Sequence, residues 1–211
     1  MKKKKGITLL EIVIVISVTA ILASAFSTLM VPMMNFFFYY PQTSRVNATA
    51  ADVLQIIIEG DEKAKGLRFT GLPCAIPTGG SSTITTATAT TLTYNYALSD
   101  SCGTGGTNSA SVALVYDSTN HIVTRSVNGG TAASIPYYAT SASGIKIDPP
   151  ASTNFFRYYD ATGTLLAASP AVASIYQVDV TVDATQGSGQ VQHDAGQILL
   201  KGSAEIKRYT T

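Results

Sequence analysis

The stretch Met1-Lys2-Lys3-Lys4-Lys5-Gly6-Ile7-Thr8-Leu9-Leu10-Glu11 leads into an apolar segment that continues to Val31, and it decides how the rest of the chain is read. Four lysines precede a glycine, and the hydrophobic span begins directly after it. One carboxylate, Glu11, sits at the fifth position of that span. A charge near the centre of a membrane helix costs on the order of 2.5 kcal/mol or more. An ordinary anchor gains nothing from carrying one, so the pairing of Gly6 with Glu11 calls for a specific use.

A secretory signal peptide would need a basic region, a short apolar core and a small-residue cleavage site. Ala23-Ser24-Ala25 offers such a site. A plain transmembrane anchor would need only the apolar run. Neither accounts for a glycine immediately before the span and a glutamate five residues after it. The arrangement resembles the class III signal of type IV pilins and their relatives. That resemblance implies cleavage after Gly6 by a prepilin peptidase, methylation of the new N-terminus at Ile7, and an assembly role for Glu11. Ile7 departs from the phenylalanine or methionine of most members, although aliphatic residues also occur there.

The 211 residues suit one anchored domain with length enough for a sizeable core. Charged residues make up 13% and apolar ones 45%, and tryptophan is absent, which points to a β-rich head rather than a disordered tail. The formal charge of +1 hides an asymmetry, because four of the fourteen basic residues lie in the leader, leaving ten against thirteen acidic side chains. The head therefore gives no electrostatic case for nucleic acid. The leader lysines place the N-terminus on the cytoplasmic side of the membrane and the head outside. Cys74 and Cys102 are the only cysteines, and in an oxidising compartment a disulfide is the economical reading, with two free thiols as the alternative.

From Ile12 to Ser44 no residue is charged. As a helix this would span about 50 Å, against about 30 Å for the hydrocarbon core. The helix is therefore expected to continue past the membrane, bent or locally unwound at Pro32 and Pro41. Phe36-Phe37-Phe38-Tyr39-Tyr40 is suited to the outer interface. From Arg45 the pattern becomes amphipathic, with Val46, Ala50, Val53 and Ile57 forming a stripe widened by Leu54 and Ile58, and Asp52 and Glu59 off it. Its end is expected between Gly60 and Gly66, with Lys63 and Lys65 near the negative end of the dipole.

Beyond Gly66 the texture turns to strand. Leu92–Tyr96, Val112–Tyr116 and above all Ser174–Asp183 alternate, the last with Tyr176, Val178, Val180 and Val182 on one face and Gln177, Asp179 and Thr181 on the other. Gln197–Leu200 and Ala204–Lys207 suggest two late strands, and polar loops are expected at Gly103–Ser109 and Gln186–Gln190. Tyr116–Val123 and Tyr159–Leu166 share one pattern and predict two hairpins, with Asn120 and Gly163 at left-handed positions. The second, preceded by Phe155-Phe156-Arg157-Tyr158, is similar to a hairpin in J-type pseudopilins and W-type minor pilins, as is the helix end at Asp61-Glu62-Lys63-Ala64-Lys65-Gly66.

No catalytic motif or phosphate loop is present. His121 and His193 read as exposed polar residues, and Asp179, Asp183 and Asp194 as solvated loop residues rather than a calcium site. No enzyme activity, cofactor or metal is expected. The reading is an α+β, pilin-like chain: residues 1–6 a cleaved leader, 7–35 the membrane and assembly half of a long helix, 36–66 its amphipathic half, and 67–211 a β-rich head on an antiparallel sheet. The resemblance implies a structural fibre subunit, with a minor, priming or tip pilin favoured. A type II secretion pseudopilin, a major pilin and, remotely, an anchored enzyme or binding domain are the alternatives. It also implies prepilin peptidase, other pilin or pseudopilin subunits and an inner-membrane assembly platform as partners, with the chain single-pass in the inner membrane before entering a fibre.

Overall fold

The computed structural model describes residues 8–71, 83–98, 109–136, 145–186 and 198–206. Gly6, Ile7, Cys74, Cys102, His193 and Asp194 lie outside them. The chain divides into two compact units, Met1–Gln42 and Thr43–Thr211. One helix, α1 (Leu9–Ile58), belongs to both, and Pro32 and Pro41 fall within it without ending it. The layout is α+β and pilin-like: an apolar N-terminal helix followed by antiparallel sheets.

In the first unit, Leu9–Met34 is long and apolar enough to cross a membrane, with a mean hydropathy of 2.5 and no part of it buried. Its hydroxyl residues do not leave free polar atoms. Ser17 donates to the Val13 carbonyl, Thr19 to Val15, Ser24 to Ile21, Ser27 to Ala23 and Thr28 to Ala25. Each bond to the preceding turn removes a donor that hydrocarbon could not satisfy. Of the aromatic run, Phe37 is exposed and the other four side chains lie outside those described.

In the second unit the helical stripe packs as its spacing predicts: Val46, Ala50, Val53 and Ile57 are fully buried, with Leu54 and Ile58 at its margin. The helix ends at Ile58, short of the Gly60–Gly66 window. Gly60 takes φ 92°, and its N–H returns to the Gln55 carbonyl at 3.1 Å. The chain then closes on itself, with Gly66 N–H bonding to the Glu59 carbonyl. A Cβ at Gly60 would lie 2.4 Å from the Ala64 oxygen, so only glycine fits this stop.

Five strands form the first sheet in sequential antiparallel order: β1 (Ile84–Ala87), β2 (Thr91–Ala97), β3 (Ser109–Asp117), β4 (Ile122–Val127) and β5 (Ala133–Ile135). The second sheet holds β6 (Ile145–Asp148), β7 (Phe156–Tyr159), β8 (Gln177–Gln186) and β9 (Ile198–Glu205). Here β8 is central. One side of it pairs with β9 from Gln177 to Ala184, while β6 takes Asp183–Gln186 and β7 takes Gln177–Val180. Strands β6 and β7 thus act as one strand interrupted at 149–155, where Pro149 and Pro150 cannot donate to a ladder.

Several expectations are corrected. The late strands are one, β9, running through Gly202, where the missing side chain admits Leu54 and Ile58 of α1. Strand β8 starts at Gln177, so Tyr176 precedes it and is 38% exposed, while Ile175 takes the inward position. Ser109 opens β3 and Gln186 closes β8, so neither belongs to a loop. The first hairpin forms as β3–β4, but His121 rather than Asn120 takes the left-handed conformation, at φ 55°. At the second, Gly163 is left-handed at φ 79°, yet only an isolated bridge, Tyr159 to Leu165, joins the arms; further along the same outer edge of β7 the Phe156 N–H goes to the Ala89 carbonyl instead.

Candidate functional site

Of the residues that carry the N-terminal signal, Glu11 is described and Gly6 and Ile7 are not. Glu11 occupies the third position of α1, three residues after Thr8, and the two close a reciprocal cap. The Thr8 N–H donates to Glu11 Oε2 at 2.9 Å and its hydroxyl to the same oxygen at 3.1 Å, while the Glu11 N–H donates to Thr8 Oγ1 at 3.3 Å. This is a capping box, in which hydroxyl and carboxylate each satisfy one orphan donor of the first helical turn. The carboxylate also lies at the positive end of the dipole. The spacing Thr-x-x-Glu ahead of an apolar run is a readable signal, and the sequence reading, which took Glu11 only as an assembly residue, missed it.

Three polar clusters stand out among the described residues of the head, none of them catalytic in form. At the end of α1, Asp61 accepts the N–H groups of Lys63 at 2.9 Å and Ala64 at 3.1 Å. Both Asp61 oxygens also receive Nη2 of Arg125 from β4, at 2.8 and 2.7 Å. The Arg125 side chain is 2% exposed. Burial pulls the Asp61 carboxyl up, but the Arg125 hydrogen bond, the loop N–H groups and the Arg125 charge together hold it below the usual carboxylate range. Tyr94 closes the cluster by donating its hydroxyl to the Lys65 carbonyl.

The second cluster corrects the reading of His121 as an exposed polar residue, since it is half-buried and bonded. Its Nδ1 lies 2.7 Å from Asp148 Oδ1, and the Tyr116 hydroxyl donates to the same oxygen. The Ile147 N–H bonds to the His121 carbonyl, so the β3–β4 hairpin is fastened to β6 and one sheet to the other. Burial first, then the bond to Asp148, pushes the Tyr116 phenol up.

The third cluster corrects the reading of Asp179 and Asp183 as solvated loop residues. Both lie on β8 and are buried. Asp179 pairs with Lys201 of β9 at 2.7 Å and accepts from Gln177 Nε2 at 2.7 Å. Burial raises the Asp179 carboxyl, but the bonds from Lys201, Gln177 and Ser203 outweigh it and hold it low. Among the described residues no group of three or more His, Cys, Asp or Glu side chains could hold a metal ion.

Residues 1–27 match the family model described as the prokaryotic N-terminal methylation motif. No curated protein and no solved structure matches the chain. The match covers the leader, the capped first turn and much of the apolar span, and it supports reading the chain as the precursor of a type IV pilin-like or pseudopilin subunit.

Proposed function

We propose that the protein is a structural subunit of a type IV pilus-like fibre, cut by prepilin peptidase after Gly6, methylated on Ile7 and assembled through its N-terminal helix. The observation that carries this is the first unit of the structure. Leu9–Met34 is apolar and uncovered, and its single carboxylate stands in the first turn. Before assembly a bilayer covers that surface; in a fibre, neighbouring copies of such helices do. Glu11 then faces the amine of Ile7 on the next subunit, and the pairing sets the register of one helix against another. An unpaired ion in a low-dielectric bundle is costly, so the register is enforced.

Within this reading the chain is a minor, priming or tip subunit, supported by the length of its head and by the Phe155–Leu166 segment. Cys74 and Cys102 form a disulfide outside the cytoplasm, which non-reducing peptide mapping checks. The inner-membrane assembly platform and other pilins are its partners. Mass spectrometry of sheared surface fibres tests the whole: the expected result is a chain beginning at methylated Ile7, substoichiometric to a major subunit. A start at Phe26, directly after Ala23-Ser24-Ala25, or lysines retained in assembled material, would overturn it. Recovery only in a secretion-linked pseudopilus, not in surface fibres, would assign it as a pseudopilin instead.

A further inference from the structure

We infer that the head carries a binding site for a single acidic sugar residue, in the groove between the 149–155 interruption of the second sheet and the turn that follows β7. The groove is lined by Ser152, Asn154, Arg157, Leu165, Leu166 and Ala167, together with Phe156 and Tyr158 of β7. Its volume is about 190 Å³. That is below the roughly 300 Å³ at which pockets for drug-sized ligands begin, so it suits one compact group and excludes a nucleotide cofactor.

Polarity decides the ligand class. Arg157 stacks on the Tyr159 ring at 5.7 Å and, among the described residues, donates to no acceptor. Asp179 is its register partner across β7 and β8, but the Asp179 oxygens are taken by Lys201 and Gln177. Asp160, three residues on from Arg157, turns its Oδ1 into its own turn, accepting there from the Thr162 and Thr164 N–H groups and the Thr162 hydroxyl. A planar cation with spare donors is thus left at the groove, the geometry that grips a carboxylate through two parallel bonds. Ser152, held at φ 63°, and exposed Asn154 add hydroxyl and amide groups on one wall. Leu165, 51% exposed, supplies an apolar wall on the other. Side-chain donors around an open groove with one apolar side match a ring bearing hydroxyls and one carboxylate. Capture of a peptide C-terminus would instead use a nest of backbone N–H groups, and the Thr153 N–H here is spent on the Pro150 carbonyl.

The test uses the full-length chain in detergent micelles, titrated with glucuronate and with an oligogalacturonate and followed by chemical shifts of the Arg157 and Asn154 side chains. Glucuronate should bind in the millimolar range and the oligomer at least as tightly. Glucose should bind at least about tenfold more weakly, as expected for losing a charge-assisted pair. Arg157→Gln should weaken glucuronate about tenfold with an unchanged melting temperature. Asn154→Ala, on an exposed loop, should weaken it severalfold and serves as an independent variant. Equal affinity for glucose and glucuronate, no effect of either substitution, or preference for an acetylated dipeptide with a free carboxylate over glucuronate would each overturn the proposal. The outcome is independent of fibre assembly, since every residue involved lies in the head.

Discussion

Helix α1 is one element with two unlike halves. In Leu9–Met34 the large apolar side chains are exposed all round, Ile14 at 53% and Leu29 at 68% among them. In the later half a stripe of four, Val46 to Ile57, is buried to 1% or less. Hydrophobicity is not what separates them. The later half has polar positions between its apolar ones, so it presents one face to a core and another to water. The earlier half is apolar on every side, and among the described residues none covers it. One half is finished by folding; the other, in the function proposed above, is finished by a bilayer or by other subunits.

The largest effect that could break this contrast is on processing. Gly6→Leu should abolish leader cleavage and leave only precursor in membranes, as read by intact mass. Melting of the head should stay at the wild-type value. Mature Ile7 ends recovered from the Gly6→Leu variant would detach the first half from its proposed route.

A paired substitution then measures the contrast directly. Ile57→Ala removes a fully buried side chain from the head core and should cost about 2 to 5 kcal/mol in denaturant unfolding. Ile14→Ala, the same chemical change where the residue is 53% exposed, should leave head unfolding unchanged. A loss of head stability for Ile14→Ala comparable to that for Ile57→Ala would mean the two halves are not independent.

These halves were legible in the sequence because each depends on residues near one another in the chain. The same holds for Val178, Val180 and Val182, whose period of two placed them correctly on the inner face of β8. What was not legible depends on partners far away. Asp179 alternates outward and reads as solvated, yet it is buried because Lys201 on β9 closes over it. Asp61 reads as part of the helix end, and nothing near it announces Arg125, 64 positions on. His121 rather than Asn120 took the left-handed position because Asn120 is held in the turn by bonds from its N–H and side-chain amide to Asp117. The Thr8–Glu11 cap is the opposite case, a local signal available in four residues.

A smaller effect is expected where the head holds its own carboxylates. The Asp61 value is lowered in the folded state, so its contribution is fully present above the unfolded carboxylate value of about 4. It is lost as pH falls through the lower folded value. Head stability should therefore decline between roughly pH 5 and pH 2, with Asp179 contributing in the same direction. Asp61→Asn should destabilise the head by about 3 kcal/mol at neutral pH, since Arg125 stays buried without its anion. The same change should flatten part of the acid decline, and an unaltered acid profile would remove the pair from the account.

The smallest expected effect is that of Thr8→Val, and set beside changes at Glu11 it separates two uses of one carboxylate. As the third residue of α1, Glu11 caps its own helix; as the proposed assembly residue, it pairs with a neighbour's amine. Glu11→Gln keeps the capping box, because an amide oxygen can accept from the Thr8 N–H, and removes only the charge. Thr8→Val keeps the charge and removes the hydroxyl half of the cap, worth about 1 kcal/mol of helix stability. If register depends on the ion pair, Glu11→Gln should lower the ratio of fibre-associated to membrane-associated protein strongly, and Glu11→Ala should do no worse than slightly more. Thr8→Val should lower it about fivefold at most, the equivalent of that 1 kcal/mol, with cleavage normal in all three. Were Thr8→Val as damaging as Glu11→Gln, the carboxylate would matter chiefly as a cap that keeps the first turn helical. Position eleven would then be a local structural requirement of the uncovered half of α1 rather than the contact that ties one subunit to the next.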